Sequence, residues 1–169
     1  MPNILVTGSS GFIGFHLCKK ILSIKNKYIK ITGIDNHNSF YDVKLKKKRL
    51  SELKKYNNFK FCNLDITNSV KLNKNFKSRK YDYVIHLAAQ AGVRHSIDKP
   101  EDYFSSNLLG FFNILESSRK NKIKHLLFAS SSSVYGDNKN FPVNENNETS
   151  KPLSFYGITN CWGVRWNKP

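Results

Sequence analysis

The feature that most constrains this chain is the glycine turn Gly8-Ser9-Ser10-Gly11-Phe12-Ile13-Gly14. It follows a short apolar run, Asn3 to Thr7 (NILVT), that reads as a buried strand. It leads into Phe12 to Ile24, where apolar residues at 13, 17, 21 and 24 predict a helix with one buried stripe. Gly8 allows a tight exit from the strand, Gly11 a close approach of backbone to a bound group, and Gly14 hard packing of helix on sheet. The first turn of such a helix offers unpaired N–H groups and a partial positive charge, which suit a diphosphate. No Walker lysine follows the turn, which argues against a P-loop hydrolase.

The rest of the chain repeats the alternation. Strands are predicted over Tyr28 to Ile34, Phe59 to Cys62, Tyr83 to Ala89 and Lys124 to Ala129. Helices are predicted over Val43 to Lys55, Asn68 to Phe76 and Pro100 to Arg119, and Gly136 to Pro152 reads as loop. Strands alternating with helices imply right-handed βαβ crossovers and a parallel sheet. The fold class is therefore α/β, a Rossmann-like doubly wound parallel sheet.

Composition narrows the function classes. With 169 residues, 39% hydrophobic, the chain can build a core of its own. No apolar stretch reaches the ~18 residues of a membrane span, and no signal or transit peptide is visible. Cys18, Cys62 and Cys161 are far apart, so neither a disulfide framework nor a zinc site is expected, and a cytoplasmic location is. The net charge of +16 suggests an acidic partner. Yet 23 of the 28 basic residues are lysines spread along the chain, and 20 asparagines accompany them. Both residues have A-rich codons, and the densest run, Lys44 to Arg49, can be one solvated helix face. No nucleic-acid partner and no metal are expected.

Asp35 closes the second strand, 21 residues after Gly14. A carboxylate there accepts hydrogen bonds from ribose hydroxyls and repels a 2′-phosphate, favouring NAD over NADP; the plainer alternative is a turn aspartate. His86, inside an apolar run, reads as a hydrogen-bonded core residue ahead of a catalyst. Asp65 either meets an adenine edge or caps the helix starting near Asn68. The run Ser130 to Gly136, with Tyr156 further on, follows a strand where open α/β sheets bind ligands. A serine there can hydrogen-bond a hydroxyl that loses a proton, and a tyrosine can take the proton if drawn below its free pKa of ~10; a polar loop without chemistry is the alternative.

Taken together, VTGSSGFIG (6–14), GIDN (33–36), LDIT (64–67), HLAAQAGVRHS (86–96), NLLGFFNILE (107–116), SSSSVYG (130–136) and Tyr156 resemble the extended short-chain dehydrogenase/reductase family. Within it they resemble NAD-dependent nucleotide-sugar epimerases. The segment NSFYDVKLKKKRLSEL (38–53) and the wording AAQAGVR are similar to the UDP-glucuronate (uronate) 4-epimerases, including capsule-biosynthesis members. The resemblance implies a hydride taken from C4 of a UDP-sugar and returned to the other face of a 4-keto intermediate. It implies Tyr156 as catalytic tyrosine, with Ser131 and Ser133 assisting it. It implies NAD contacts at Gly8, Gly11, Phe12, Ile13, Gly14, Asp35, Asn36, Asp65, Leu87, Ala89 and Asn107, and a substrate-side loop at Arg94 and Ser96. A 4,6-dehydratase or UDP-glucose 4-epimerase relative, and a non-catalytic NAD-binding module, are the alternatives.

Two departures stand out. The family's Tyr-x-x-x-Lys reads Tyr156-Gly157-Ile158-Thr159-Asn160 here. An amide replaces a hydrogen bond but not a positive charge, and two pKa units of lost depression are worth about 3 kcal/mol. The family is about twice as long. The expectation is therefore an NAD-binding domain over 1–159 and a divergent, poorly helical tail over 160–169, with Gly163 and Pro169 against a helix. A frameshift would account for both departures. The helix carrying the tyrosine, the substrate lobe and the homodimer helices are expected to be missing, leaving an exposed apolar sheet end, poor solubility and little or no activity.

Overall fold

The computed structural model describes residues 1–24, 28–139, 142–149 and 151–166. Its strands are β1 (Asn3–Thr7), β2 (Lys30–Asp35), β3 (Phe59–Asn63), β4 (Tyr83–His86) and β5 (His125–Phe128). Helices α1 (Phe12–Ser23), α2 (Val43–Leu53) and α3 (Ser69–Arg79) follow the first three strands. After β4 come α4 (His95–Asp98), α5 (Pro100–Tyr103), a π-helical stretch Phe104–Gly110 and α6 (Phe111–Lys120). After β5 come a 3₁₀ turn, Ser132–Tyr135, and α7 (Phe155–Trp166).

All four strand pairings are parallel, in the order β3-β2-β1-β4-β5. The chain winds outward from β1 to β3, then returns to the other side of β1 for β4 and β5. This is the doubly wound arrangement, and its order reverses between β1 and β4, where such sheets bind ligands beyond the strand ends. The register pairs Thr7 with both Ile34 and His86.

The chain divides into two compact units: Met1–Ala88 with Phe112–Phe128, and Ala89–Phe111 with Ala129–Pro169. The first contains the whole sheet. Because strand side chains alternate, Leu5 and Val84 face one layer with Leu72, Phe76 and Ile114, while Val6 faces Phe15, Cys18, Leu22, Leu50 and Leu53 in the other. Helix α6 is fastened to the first layer by Asn113, whose Nδ2 donates to the Ile66 and Thr67 carbonyls, and by Ser117, which donates to Asn73. At the β5 edge Leu127 is 54% exposed, an apolar side chain on the outermost strand.

Three expectations change. Strand β4 stops at His86 and not at Ala89: Leu87 N–H is shared between the Thr7 carbonyl (3.3 Å) and the Thr7 hydroxyl, and Ala88 N–H turns to that hydroxyl. The helix from Pro100 is not uniform: its middle seven residues are π-helical, a rare form that is frequent at functional sites. The largest correction is α7. The helix carrying Tyr156 is present, and it continues through Cys161 to Trp166, despite Gly157 and Gly163. Packing overrides propensity here. Gly157 and Gly163 are both buried, and a Cβ on Gly157 would lie 2.9 Å from the Ser133 carbonyl oxygen. The buried Cys161 thiol donates to the Val134 and Thr149 carbonyls. Residues 167–169, the end of the expected tail, lie outside the described residues.

Leu72 is fully buried between α3 and the sheet, whereas Val70 on the same helix is 78% exposed. Leu72→Ala is expected to cost about 3 kcal/mol and Val70→Ala under about 0.5 kcal/mol in urea unfolding. Equal effects would show that this layer is not a packed core.

Candidate functional site

In the first unit the site begins at the end of β1. Gly8 has φ +68°, and a Cβ there would sit 2.9 Å from backbone atoms of Leu87 and Ala88. A Cβ on Gly14 would overlap the Gly8 carbonyl oxygen, and one on Gly11 would lie 3.0 Å from it. The turn is closed by Gly11 N–H donating to Gly8 O at 3.0 Å. Gly11 is also the N-cap of α1, so no side chain caps this helix, and its first turn has no acidic residue. The leading N–H groups of α1 are thus left for a ligand. Phe12 and Ile13 stand beside them, both about two-thirds exposed. These features fit a dinucleotide diphosphate on the residues present.

Across the strand ends, the Thr7 hydroxyl accepts from Leu87 N–H (3.2 Å) and Ala88 N–H (3.1 Å) and meets His86 Nδ1 at 2.8 Å. Both lone pairs being taken, the hydroxyl must donate to His86, so Nδ1 is bare and the proton sits on Nε2. Burial pushes this imidazole down to about 4, in keeping with a neutral core histidine. Leu87 is half-buried and Ala89 exposed.

Asp35 is buried, and both its oxygens are engaged: Oδ2 accepts Ser10 N–H at 3.1 Å and Oδ1 accepts His37 N–H at 2.9 Å. One carboxylate therefore ties the glycine turn to the loop after β2. His37, at φ +51°, stacks on Phe61 and bonds Ser10 Oγ through Nε2 at 2.9 Å. Asn36 donates to Asp65 Oδ2 at 2.8 Å, while Thr67 N–H and Oγ1 hold the other oxygen. Burial raises the Asp65 carboxyl, but these bonds from Asn36 and Thr67 outweigh it and leave it below its ordinary value. Asp65 is not the cap of α3; Asn68 is, accepting from Lys71 N–H.

The second unit carries the hydroxyl groups. Ser131 caps the 3₁₀ turn: its Oγ accepts Ser133 N–H and donates to Ser133 Oγ, both at 3.2 Å. Tyr156, on the first turn of α7, receives an edge contact from Tyr103 with ring centroids 6.0 Å apart. Its N–H donates to Ser96 Oγ at 3.3 Å. Ser96 is 1% exposed and also donates to Val93 O, so its hydroxyl is committed to main chain. Arg94 is exposed. Asn107, buried in the π-helical stretch, spans Gln90 with both ends of its amide: Nδ2 donates to Gln90 O and Oδ1 accepts Gln90 N–H. Its Nδ2 also reaches Thr159 Oγ1 at 3.1 Å. Asn160 folds back on its own helix, Nδ2 donating to Tyr156 O at 2.8 Å.

Residues that sequence reasoning passed over are Tyr103, Gly157 and Thr159. Tyr103 is fully buried, and its hydroxyl lies 2.7 Å from Ala91 O and 2.6 Å from Gly92 O. The Tyr103-x-x-x-Asn107 spacing, one helical turn, was the available signal. Among the described residues no cluster of three or more metal-ligating side chains occurs, and no helix is long and apolar enough to cross a membrane.

The model of the NAD dependent epimerase/dehydratase family matches residues 4–167. The UDP-glucuronate 4-epimerase of Thermodesulfobacterium geofontis is 43% identical over 159 residues, 94% of this chain and 48% of its own. Protein CapI of Staphylococcus aureus is 45% identical over 156 residues, 92% of this chain and 46% of its own. The crystal structure of UDP-glucuronic acid 4-epimerase from Bacillus cereus, in complex with UDP-glucuronic acid and NAD, superposes with a TM-score of 0.86 at 35% identity, covering 96% of this chain and 50% of that one. The chain spans about half the length of the curated relatives it matches.

The neutral, Thr7-bonded His86 sets a pH dependence. The folded imidazole titrates at about 4 and the unfolded one at 6.5, so the unfolded chain holds more protons between those values. Stability is full above about pH 7 and falls as pH drops through that window, by about 2 kcal/mol near pH 5. Urea unfolding at the two pH values measures it, and His86→Gln should flatten the slope. An unchanged slope in the variant would remove His86 as its source.

Proposed function

The chain belongs to the NAD dependent epimerase/dehydratase family, and from that premise we propose that it binds NAD as the coenzyme half of a UDP-sugar 4-epimerase acting on UDP-glucuronate. The observation that carries this reading is the uncapped start of α1 above a glycine turn with no room for a Cβ. Gly8, Gly11 and Gly14 bring the backbone against the diphosphate, with Phe12 and Ile13 beside it. Asp35, with Asn36, accepts from the adenosine ribose. Asp65, Leu87 and Ala89 border the coenzyme, and Ser96 and Asn107 act by positioning, since their polar groups hold main chain.

The nicotinamide, when bound, supplies the hydride acceptor and donor for C4 of the sugar. Tyr156 takes the C4 hydroxyl proton, Ser131 orients that hydroxyl, and Ser133 holds Ser131 in place through their paired hydroxyls. Arg94, exposed at the start of α4, faces the substrate. The product is the C4 epimer, UDP-galacturonate.

A second reading, a non-catalytic NAD-binding module, is favoured by Asn160. Its amide is spent on the Tyr156 carbonyl, and no cation stands at that position to stabilise a tyrosinate. Little or no turnover by the 169-residue chain follows from the missing charge.

Calorimetric titration is expected to show NAD binding, weakened about tenfold in Asp35→Ala for the loss of charge-assisted hydrogen bonds. An assay for the C4 epimer of UDP-glucuronate is expected to stay near background. Robust turnover would overturn the claim of weak activity, and failure of the folded chain to bind NAD would overturn the coenzyme assignment.

A further inference from the structure

The amino ends of β1, β2 and β3, opposite the glycine turn, border a cleft of about 280 Å³. Lys30 opens β2, and strand alternation puts it on the face of Thr32 and Ile34, the face that α3 covers. Lys60 pairs with Thr32 on the neighbouring strand and shares that face with Cys62. Helix α3 ends beside them at the half-buried Arg79, whose Nη2 donates to Cys62 Sγ at 3.4 Å. Lys30, Lys60 and Arg79 all line the cleft, together with Asn3 and Asn58, and no acidic side chain does.

The hydrogen bonds around this cleft are one-sided. Carbonyls at its rim are taken: Asn3 Nδ2 donates to Arg79 O at 2.6 Å and to Lys80 O at 3.4 Å, Asn58 Nδ2 to Ile29 O at 2.8 Å, and Ile31 N–H to Asn58 O at 3.0 Å. The two bonds from Asn3 quench the negative end of α3. The cations are not taken. Among the described residues Lys30 Nζ and Lys60 Nζ make no hydrogen bond or ion pair, and Arg79 has only its bond to sulfur, with Nε and Nη1 open. Unpaired lysines are common in a chain of 28 basic and 12 acidic residues. What sets these three cations apart is convergence on one concave place, where like charges repel until an anion comes between them. A guanidinium fork flanked by two ammonium groups suits the several oxygens of a phosphate.

We propose that this cleft binds a small phosphate-bearing ligand, its phosphate dianion held by the Arg79 guanidinium with Lys30 and Lys60 on either side. The site shares no residue with the glycine turn or Asp35, so it stands or falls apart from the coenzyme reading.

An amide NMR titration of the 169-residue chain with inorganic phosphate, against sodium chloride of equal ionic strength, tests it. Shifts are expected to centre on Asn58, Lys60 and Arg79 and to half-saturate at on the order of millimolar phosphate. Arg79→Gln and Lys60→Gln are each expected to weaken binding at least about fivefold. Lys44→Gln removes the same charge from the exposed start of α2 and should change it less than about twofold. Lys60 is exposed, so its variant keeps the test open if Arg79→Gln does not fold. No shift at Asn58, Lys60 or Arg79 up to about 50 mM phosphate overturns the proposal, as do equal shifts in chloride. Equal weakening by Lys44→Gln also overturns it, because the effect is then one of net charge. A single-stranded DNA oligonucleotide whose shifts spread from the cleft over the exposed lysines of α2 would mark a general polyanion surface and overturn it too. Phosphate shifts confined to Gly11–Gly14 would support the diphosphate turn and remove this second site.

Discussion

The hydroxyl of Thr7 holds the strand ends between which the sheet order reverses. It accepts two main-chain N–H groups from the segment leaving β4 and gives its own proton to the His86 ring, with its backbone paired to β2 and β4. Each such bond contributes about 1 kcal/mol net, but leaving any of these buried groups unpaired costs more. Their joint effect is geometric. Leu87 and Ala88 are drawn against Gly8 so closely that only a residue without a side chain fits between them, and the same carbonyl of Gly8 leaves no room at Gly14. From one side chain the path runs to the glycine turn, to the uncapped helix start, and so to a place where a diphosphate finds donors in position.

Asp35 extends this arrangement to the end of β2. Its carboxylate is part of the scaffold before it meets any ligand, since it fastens Ser10 to the β2 loop. Helix α2 reaches the same turn through Arg49, whose Nη1 lies 3.5 Å from the Ser10 carbonyl. Loop, helix and strand end thus share one polar cluster, in which the residues that shape the site also set its electrostatics.

In the second unit the polar groups serve a different end. Asn107 clamps both main-chain groups of Gln90, Ser96 receives the N–H of Tyr156, and Tyr103 braces the Tyr156 ring while its hydroxyl meets two carbonyls. The tyrosine is held by its backbone and by its ring, and among the described residues its phenol makes no hydrogen bond. Gly157 permits the approach of α7 to the Ser132–Tyr135 turn, where a Cβ would press on the Ser133 carbonyl. Asn160 satisfies the helix carbonyl behind it and brings no charge to the turn below Tyr156.

Sequence by itself determined the alternation of strands and helices, the parallel sheet and the glycine turn, because apolar periodicity and the positive φ that glycine permits at position 8 are local properties. Asp35 was legible for the same reason: it ends a recognisable strand at a set distance from the turn. What only the tertiary structure decided were matters of partnership. The turn of Ala88 out of β4 depended on a hydroxyl 81 positions away, and the helicity of α7 on burial of Gly157 and Cys161 against the 3₁₀ turn, which outweighs the cost of glycine in a helix. The inward turn of Lys46 and Arg49 within a run that reads as solvent-facing depended on Asn38, Tyr41 and Ser10. Residue type and spacing carry local geometry; which buried donor meets which acceptor is set only when distant segments are packed together.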